Sequence, residues 1–156
     1  MYFSKNIANV FYFSCTTKKP NNVYLYSLSS FEKGVKIPTK YEGDNDLYSS
    51  IFKHKGQIMI GVNQLHNSKF TIYNSKGEEI KVIELNNSFI YFHSFYFGSI
   101  LTFCKGLIEV YSLNTNKLLK SFKNEKTKYF YYIGLVLNKK LYATTLGGII
   151  IFDWIS

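Results

Sequence analysis

Ile108-Glu109-Val110-Tyr111-Ser112 is the stretch that decides the fold, because four versions of it recur along the chain. Each version of this repeat motif is a short apolar segment that ends in an aromatic residue followed by a small polar residue. The other three are Val23-Tyr24-Leu25-Tyr26-Ser27, Phe70-Thr71-Ile72-Tyr73-Asn74 and Ile149-Ile150-Ile151-Phe152-Asp153. The four aromatic residues are 47, 38 and 41 residues apart. A period of about 40 residues, with several short strands in each repeat, is typical of β-propeller blades and not of helical solenoids.

The strands around the motif are apolar on both faces, which also favours blades. Leu101-Thr102-Phe103-Cys104 shows no alternation, whereas a sheet with one face in water would alternate. Turn residues separate such strands, as at Gly98-Ser99 and at Gly77. We therefore predict an all-β chain, a β-propeller of about four four-stranded blades whose last blade lacks its outer strand. The blades fall at about residues 1–41, 42–86, 87–126 and 127–156 of a single propeller domain or half-propeller.

The last blade is the most informative one, because the sequence stops two residues after Trp154. Without an outer strand, this blade would present an open apolar edge, which proteins normally protect. Three explanations stay open: a small ring that closes with Met1–Ser4 as its last strand, one half of a larger ring, or a piece of a longer protein. A half ring would be completed by a second copy or by another subunit. The predicted partner or edge interface consists of Ile149, Ile150, Ile151, Phe152 and Trp154.

One segment carries a resemblance to a known family. Gly106–Leu119 resembles the c–d hairpin of WD40-type propellers, with a Gly, an apolar strand, an aromatic-polar pair, a short turn and a Lys before the next apolar strand. Phe152-Asp153 is the pair closest to the Trp-Asp of that family. The resemblance implies a non-catalytic protein–protein interaction scaffold that presents its loops to a protein partner. It also implies a subunit of a larger intracellular complex.

The charge pattern leaves a second function open. The formal net charge is +9, and all 19 basic residues other than His are Lys. Arg, whose planar fork reads guanine edges and holds phosphates in a bidentate manner, is absent from the sequence. The basic balance favours an acidic protein partner through long-range attraction. The alternative is a polyanion-binding module, for RNA or acidic lipid, although we expect nucleic acid or acidic membrane less than protein.

The densest basic segment supplies the candidate contacts for an anionic partner. These are Lys117, Lys120, Lys123, Lys126 and Lys128. Lysines on the outer strand of a blade also protect that strand from pairing with other chains, so both interpretations apply to this segment.

The sequence lacks the common signatures of catalysis and of metal binding. It has no Gly-x-Ser-x-Gly elbow and no Walker-type phosphate loop, and its three His stand at no metal-ligand spacing. We therefore expect no enzyme activity, no catalytic residue, no cofactor and no metal. Cys15 and Cys104 fit buried thiols of a reduced, intracellular protein. These thiols favour a cytoplasmic or otherwise intracellular location. No segment reaches the roughly 20 apolar residues of a membrane-spanning helix, so we expect no transmembrane segment.

Overall fold

The structure is a computed structural model, and it describes residues 3–7, 10–18, 21–27, 35–38, 47–87, 92–104, 106–123, 134–145 and 147–154. The regular structure of these residues is entirely β-strand, in four antiparallel sheets. Contacts divide the chain into two compact units, Met1–Ser88 and Phe89–Ser156.

The first unit contains two meanders of four strands each. The strands of its first sheet are β1 (Phe3–Ile7), β2 (Val10–Lys18), β3 (Asn21–Ser27) and β4 (Val35–Ile37). Those of its second sheet are β5 (Leu47–His54), β6 (Gln57–Gln64), β7 (Lys69–Asn74) and β8 (Glu79–Glu84). The two sheets pack together through an apolar cluster that includes Val23, Leu25 and Ile37 of the first sheet and Ile60 and Tyr73 of the second.

The second unit contains one meander of four strands and one of three. The strands of the four-stranded sheet are β9 (Phe92–Tyr96), β10 (Ser99–Cys104), β11 (Leu107–Ser112) and β12 (Leu118–Lys123). Those of the three-stranded sheet are β13 (Gly134–Leu137), β14 (Lys140–Thr145) and β15 (Gly148–Asp153). Ile108, Val110 and Phe122 of the former pack against Val136 and Leu141 of the latter.

The repeat motif forms one strand in each sheet, namely β3, β7, β11 and β15. Since side chains alternate across a strand, its first and third residues face one way and its aromatic residue faces the other. In the first unit, Val23 and Leu25 point toward the following sheet, from which Tyr73 packs back. Ile108 and Val110 do the same in the second unit, and Phe152 packs back against them. The motif thus supplies both sides of the contact between the two sheets of each unit.

The small polar residue of the motif stabilises the turn that follows the strand. The Asn74 side-chain Oδ1 accepts hydrogen bonds from the backbone N–H groups of Lys76 and Glu78, at 2.9 and 3.0 Å. The Ser112 hydroxyl accepts from the backbone N–H groups of Asn114 and Thr115, both at 3.1 Å. These bonds hold the chain in a tight turn and explain why the motif ends in a residue with a short polar side chain.

Two-residue turns join the first and second strands of three sheets. Their pairs are Lys55-Gly56, Phe97-Gly98 and Asn138-Lys139, and both residues of each pair have positive φ. This is the geometry of type I′ turns, which match the right-handed twist of a hairpin. Gly98-Ser99 was the expected turn of the second hairpin, so that expectation is wrong by one residue: Ser99 already belongs to β10. The shift places Phe97 in the turn itself.

The N-terminal strand bears on the closed-ring alternative. Phe3–Ile7 pairs with β2, with Phe3 opposite Ser14. Phe3 and Ser4 are therefore part of the first sheet, whereas the closed-ring alternative needs them beside β15. The division into four blades at the expected residue boundaries stays a prediction.

Candidate protein-interaction surface

The outer face of the three-stranded sheet is a row of exposed apolar side chains. Directly paired residues of antiparallel strands lie on the same face. The register pairs Leu135 with Tyr142 and Tyr142 with Ile151, and it pairs Thr144 with Ile149. Leu135, Leu137, Ile149 and Ile151 are each more than half exposed. We call these four residues the open face.

Comparison within the chain shows that the open face has the sequence of a buried contact. The first and third motif residues in β11, Ile108 and Val110, are 0% and 2% exposed, because the following sheet covers them. Their counterparts in β15, Ile149 and Ile151, are 65% and 56% exposed. The corresponding residues of β3 and β7 are buried as well; they are Val23, Leu25, Phe70 and Ile72. Contiguous apolar surface of this kind marks interaction sites in soluble proteins.

The five residues predicted as an edge interface divide between the two faces of β15. Ile149 and Ile151 belong to the open face. Ile150, Phe152 and Trp154 pack on the opposite side against the core of the second unit. The Phe122 ring lies 5.3 Å from that of Phe152 and is stacked at 5.9 Å on that of Trp154, between ring centroids. A partner contact through these three residues stays a prediction. Leu135 and Leu137 were missed, although their spacing of two residues in a strand-like segment is a readable signal.

An ion pair borders the open face. The Lys140 ammonium donates a hydrogen bond to the Asp153 carboxylate, and both side chains are exposed. This hydrogen bond, together with the charge of Lys140, lowers the pKa of Asp153, and the same carboxylate raises the pKa of Lys140. Lys120 Nζ approaches the Asp153 carbonyl oxygen at 3.5 Å. The carboxylate at this border is therefore already balanced by cations.

The predicted basic contacts are not gathered on one face in the part of the segment that the structure describes. Lys120 pairs with Val110 and Lys123 with Leu107, and these partners lie on opposite sides of β11. The Lys120 ammonium also lies 4.8 Å from the centre of the Phe122 ring, which makes it a cation–π contact. Lys117 is exposed in the preceding turn. Lys126 and Lys128 lie outside the described residues.

A buried polar group in β11 was also missed at the sequence level. Glu109 is buried, and its carboxylate accepts a hydrogen bond of 2.9 Å from the Tyr111 hydroxyl. Burial, and to a smaller extent the charge of Glu109, raise the pKa of the Cys104 thiol to about 12, while a hydrogen bond with Thr102 lowers it. A thiol with this pKa stays protonated at neutral pH, and this disfavours reaction of Cys104 as a nucleophile. A lone acid within an apolar motif is the signal that could have identified Glu109.

The described ranges contain no group of three or more His, Cys, Asp or Glu residues that could hold a metal ion. They also contain no helix of the length and hydrophobicity that crossing a membrane requires.

No protein family and no curated protein matches the sequence. Solved structures do match. The C-terminal WD40 domain of Sif2 is 13% identical, over 91% of this chain and 40% of its own, with a TM-score of 0.62. The computationally designed Ika4 protein is 10% identical, over 96% and 88%, with a TM-score of 0.66.

A third similar structure is the glutaminyl cyclase of Myxococcus xanthus, 9% identical over 91% of this chain and 61% of that chain, with a TM-score of 0.56. The chain thus spans less than half of the Sif2 chain and less than two thirds of the cyclase chain.

The fold is that of a β-propeller. The sheets have the strand order of successive blades, and the predicted class is confirmed, including the three-stranded last sheet. At these identities the similarity concerns the fold alone. It therefore carries over neither the cyclase activity nor any partner.

Proposed function

We propose that this chain is a non-catalytic protein–protein interaction scaffold of the WD40-like kind and a subunit of a larger intracellular complex. The observation that carries the proposal is the open face. Ile149 and Ile151 repeat the register positions of Ile108 and Val110 but are exposed. Propellers of the WD40 type generally act by binding proteins, and the fold similarity to the Sif2 domain supports the same kind of role.

The expected occupant of the open face is a β-sheet of another protein subunit or of a second copy. Within each unit, the second sheet covers Val, Ile and Leu side chains of the first through face-to-face packing. The open face presents the same residue types at the same spacing. The net charge of +9 favours an acidic partner, because opposite charge accelerates encounter. Polyanion binding has no comparable support, since the described lysines point to different faces.

The test is the solution mass of the purified chain, measured by light scattering after size exclusion over a range of concentrations. Without its partner, the open face should drive concentration-dependent self-association, together with the edge of β15 that pairs with no described strand. Ile151→Lys should reduce this association, because a charge at the centre of an apolar contact is costly to desolvate. Ile80→Lys is the matched control, since Ile80 is 51% exposed but lies in β8 of the first unit. A mass that stays monomeric throughout, or that responds equally to both variants, would refute the proposal.

A further inference from the structure

The second unit contains an aromatic groove that is separate from the open face. The groove is open to solvent and has a volume of about 420 Å³, within the usual range of ligand sites. Its walls are formed by Tyr96, Phe97, Ser99, Leu119, Lys139 and Trp154. These residues come from the β9–β10 hairpin, from β12, from the β13–β14 turn and from the residue that follows β15. The groove therefore lies where the two sheets of this unit meet.

Phe97 is the most unusual residue of the groove. It is 91% exposed and has a φ of 40°, a conformation that bulky residues rarely adopt. Asn, Asp and Gly are the residues that type I′ turns favour at this position. The first residue is Lys55 in one of the other two described turns of this type and Asn138 in the other. An aromatic residue held in water at a strained position costs stability and is a signal of function.

Leu119 is directed into the groove by a β-bulge. Val110 pairs with Lys120 and Tyr111 pairs with Leu118, so that Leu119 is the extra residue between them. Bulges reorient side chains and are frequent beside functional sites. Leu119 is more than half exposed and adds an aliphatic wall to the aromatic one.

The groove is organised in advance by aromatic contacts. The Tyr96 ring meets the Phe97 ring edge to face at 4.7 Å and the Trp154 ring edge to face at 5.5 Å, between centroids. The Trp154 backbone N–H donates a hydrogen bond of 2.8 Å to the Lys139 carbonyl oxygen, which fixes the end of β15 to the β13–β14 turn. A preorganised site of this kind loses little conformational freedom on binding.

The charge around the groove is positive. Lys139 is exposed at its wall, and no carboxylate lines it. The second unit carries eight Lys against three carboxylates, of which Glu109 is buried and Asp153 is paired with Lys140. A ligand that fits this surface has an apolar group for the groove and negative charge beside it.

We propose that this groove binds an acidic peptide segment of a partner protein by taking up one of its apolar side chains. The aromatic and aliphatic walls bind the side chain. Lys139, together with the excess of lysines in the second unit, attracts the flanking carboxylates. This site goes beyond the proposed scaffold role, because it does not depend on any contact at the open face.

Trp154 allows a direct test, since it is the only Trp of the chain and lines the groove. Its fluorescence would be titrated with three short acetylated peptides: a central leucine flanked by glutamates, the same leucine flanked by lysines, and an alanine flanked by glutamates. We expect a saturable change with the first peptide and binding at least about tenfold weaker with the other two, as loss of the apolar side chain or of the favourable charge requires. No change with the first peptide, or equal binding of all three, would overturn the proposal.

Two variants separate binding from folding. Phe97→Asn and Lys139→Gly both introduce residues that type I′ turns favour, so each should fold at least as well as the parent chain. Phe97→Asn should weaken binding of the acidic leucine peptide about tenfold or more. Lys139→Gly should weaken it about threefold at low salt and by much less at high salt. Lys55→Asn makes an equivalent exchange in the first unit and should leave the affinity unchanged; loss of binding in this control would show that the groove is not the site.

Discussion

Replacing the same residue at the same register position of two strands tests whether the open face is exposed in the free chain. Ile108 and Ile149 are both the first residue of the repeat motif, and Ile→Ala removes the same three carbons from each. Ile108 is 0% exposed within the core of the second unit, so its truncation leaves a cavity. Such substitutions cost about 2–5 kcal/mol. Ile149 is 65% exposed, so about a third of its burial is at stake, or about 0.5–1 kcal/mol, with no enclosed cavity.

The free energy of unfolding would be measured for both variants by urea denaturation at low protein concentration, followed by circular dichroism. Any loss of strand propensity is similar in the two variants, so the difference between them, about 2–4 kcal/mol, reports burial. In thermal unfolding the same difference corresponds to about 4–16 °C. An equal loss in the two variants would mean that Ile149 is covered in the free chain, and the open face would not exist.

Three further predictions concern local structure. Gly77→Ala should lower the free energy of unfolding by about 1–2 kcal/mol more than Gly56→Ala. Both glycines have φ above 80°, but only at Gly77 would the new Cβ lie 3.1 Å from a carbonyl oxygen of β4. Equal losses in urea denaturation would contradict this. Cys104, with its pKa raised to about 12, should resist alkylation by iodoacetamide at pH 8 unless urea is added. The free energy of unfolding should also fall as the pH rises from about 9 toward 12, because the folded state keeps a proton that the unfolded state releases. Lys140→Gln should raise the lowered pKa of Asp153 toward its ordinary value in a carboxyl NMR titration. In the parent chain, the stabilisation from this pair is present above the ordinary pKa of Asp and should be lost as the pH falls through the lowered pKa of Asp153. An unchanged Asp153 titration would refute the pairing.

The repeat motif predicted the sheets because its physical requirements are local. A strand that is apolar on both faces needs a sheet on each side, and a short polar residue at its end stabilises the next turn. Asn74 and Ser112 show the second feature in the structure. Gly77 has the positive φ that its place in the turn predicted. Period, apolar runs and turn residues were therefore sufficient for the fold.

The faces of the last sheet depended on register, which the sequence does not display. Ile149, Ile150 and Ile151 are identical in composition, yet the middle one packs inward and its neighbours point outward. The Asn138-Lys139 turn fixes the pairing of β13 with β14, and the register between β14 and β15 sets which face each of the three isoleucines takes. A strand predicted as a single interface therefore divided into two.

The groove depended on single-residue details of the same kind. Phe95-Tyr96-Phe97 reads as a continuous apolar strand, and an expected turn one residue further along would have kept Phe97 inside it. The bulge at Leu119 has no mark in the sequence. Long-range packing and turn geometry decide these positions, and residue composition does not.

The size of the open face constrains how a partner must bind. Its four side chains have about half of their surface left to bury, which amounts to about 1 kcal/mol each. A partner face of the same kind would add about as much, and the resulting sum of about 8 kcal/mol lies within the free-energy cost of association, estimated at about 4–15 kcal/mol. Face-to-face packing alone therefore leaves little surplus for a stable complex. The other edge of β15 has no paired strand among the described residues, so backbone hydrogen bonds along it can supply the remainder. We expect the amides of β15 to gain protection in hydrogen exchange on self-association; association that leaves them as exchangeable as in the monomer would show that the partner does not bind along this edge.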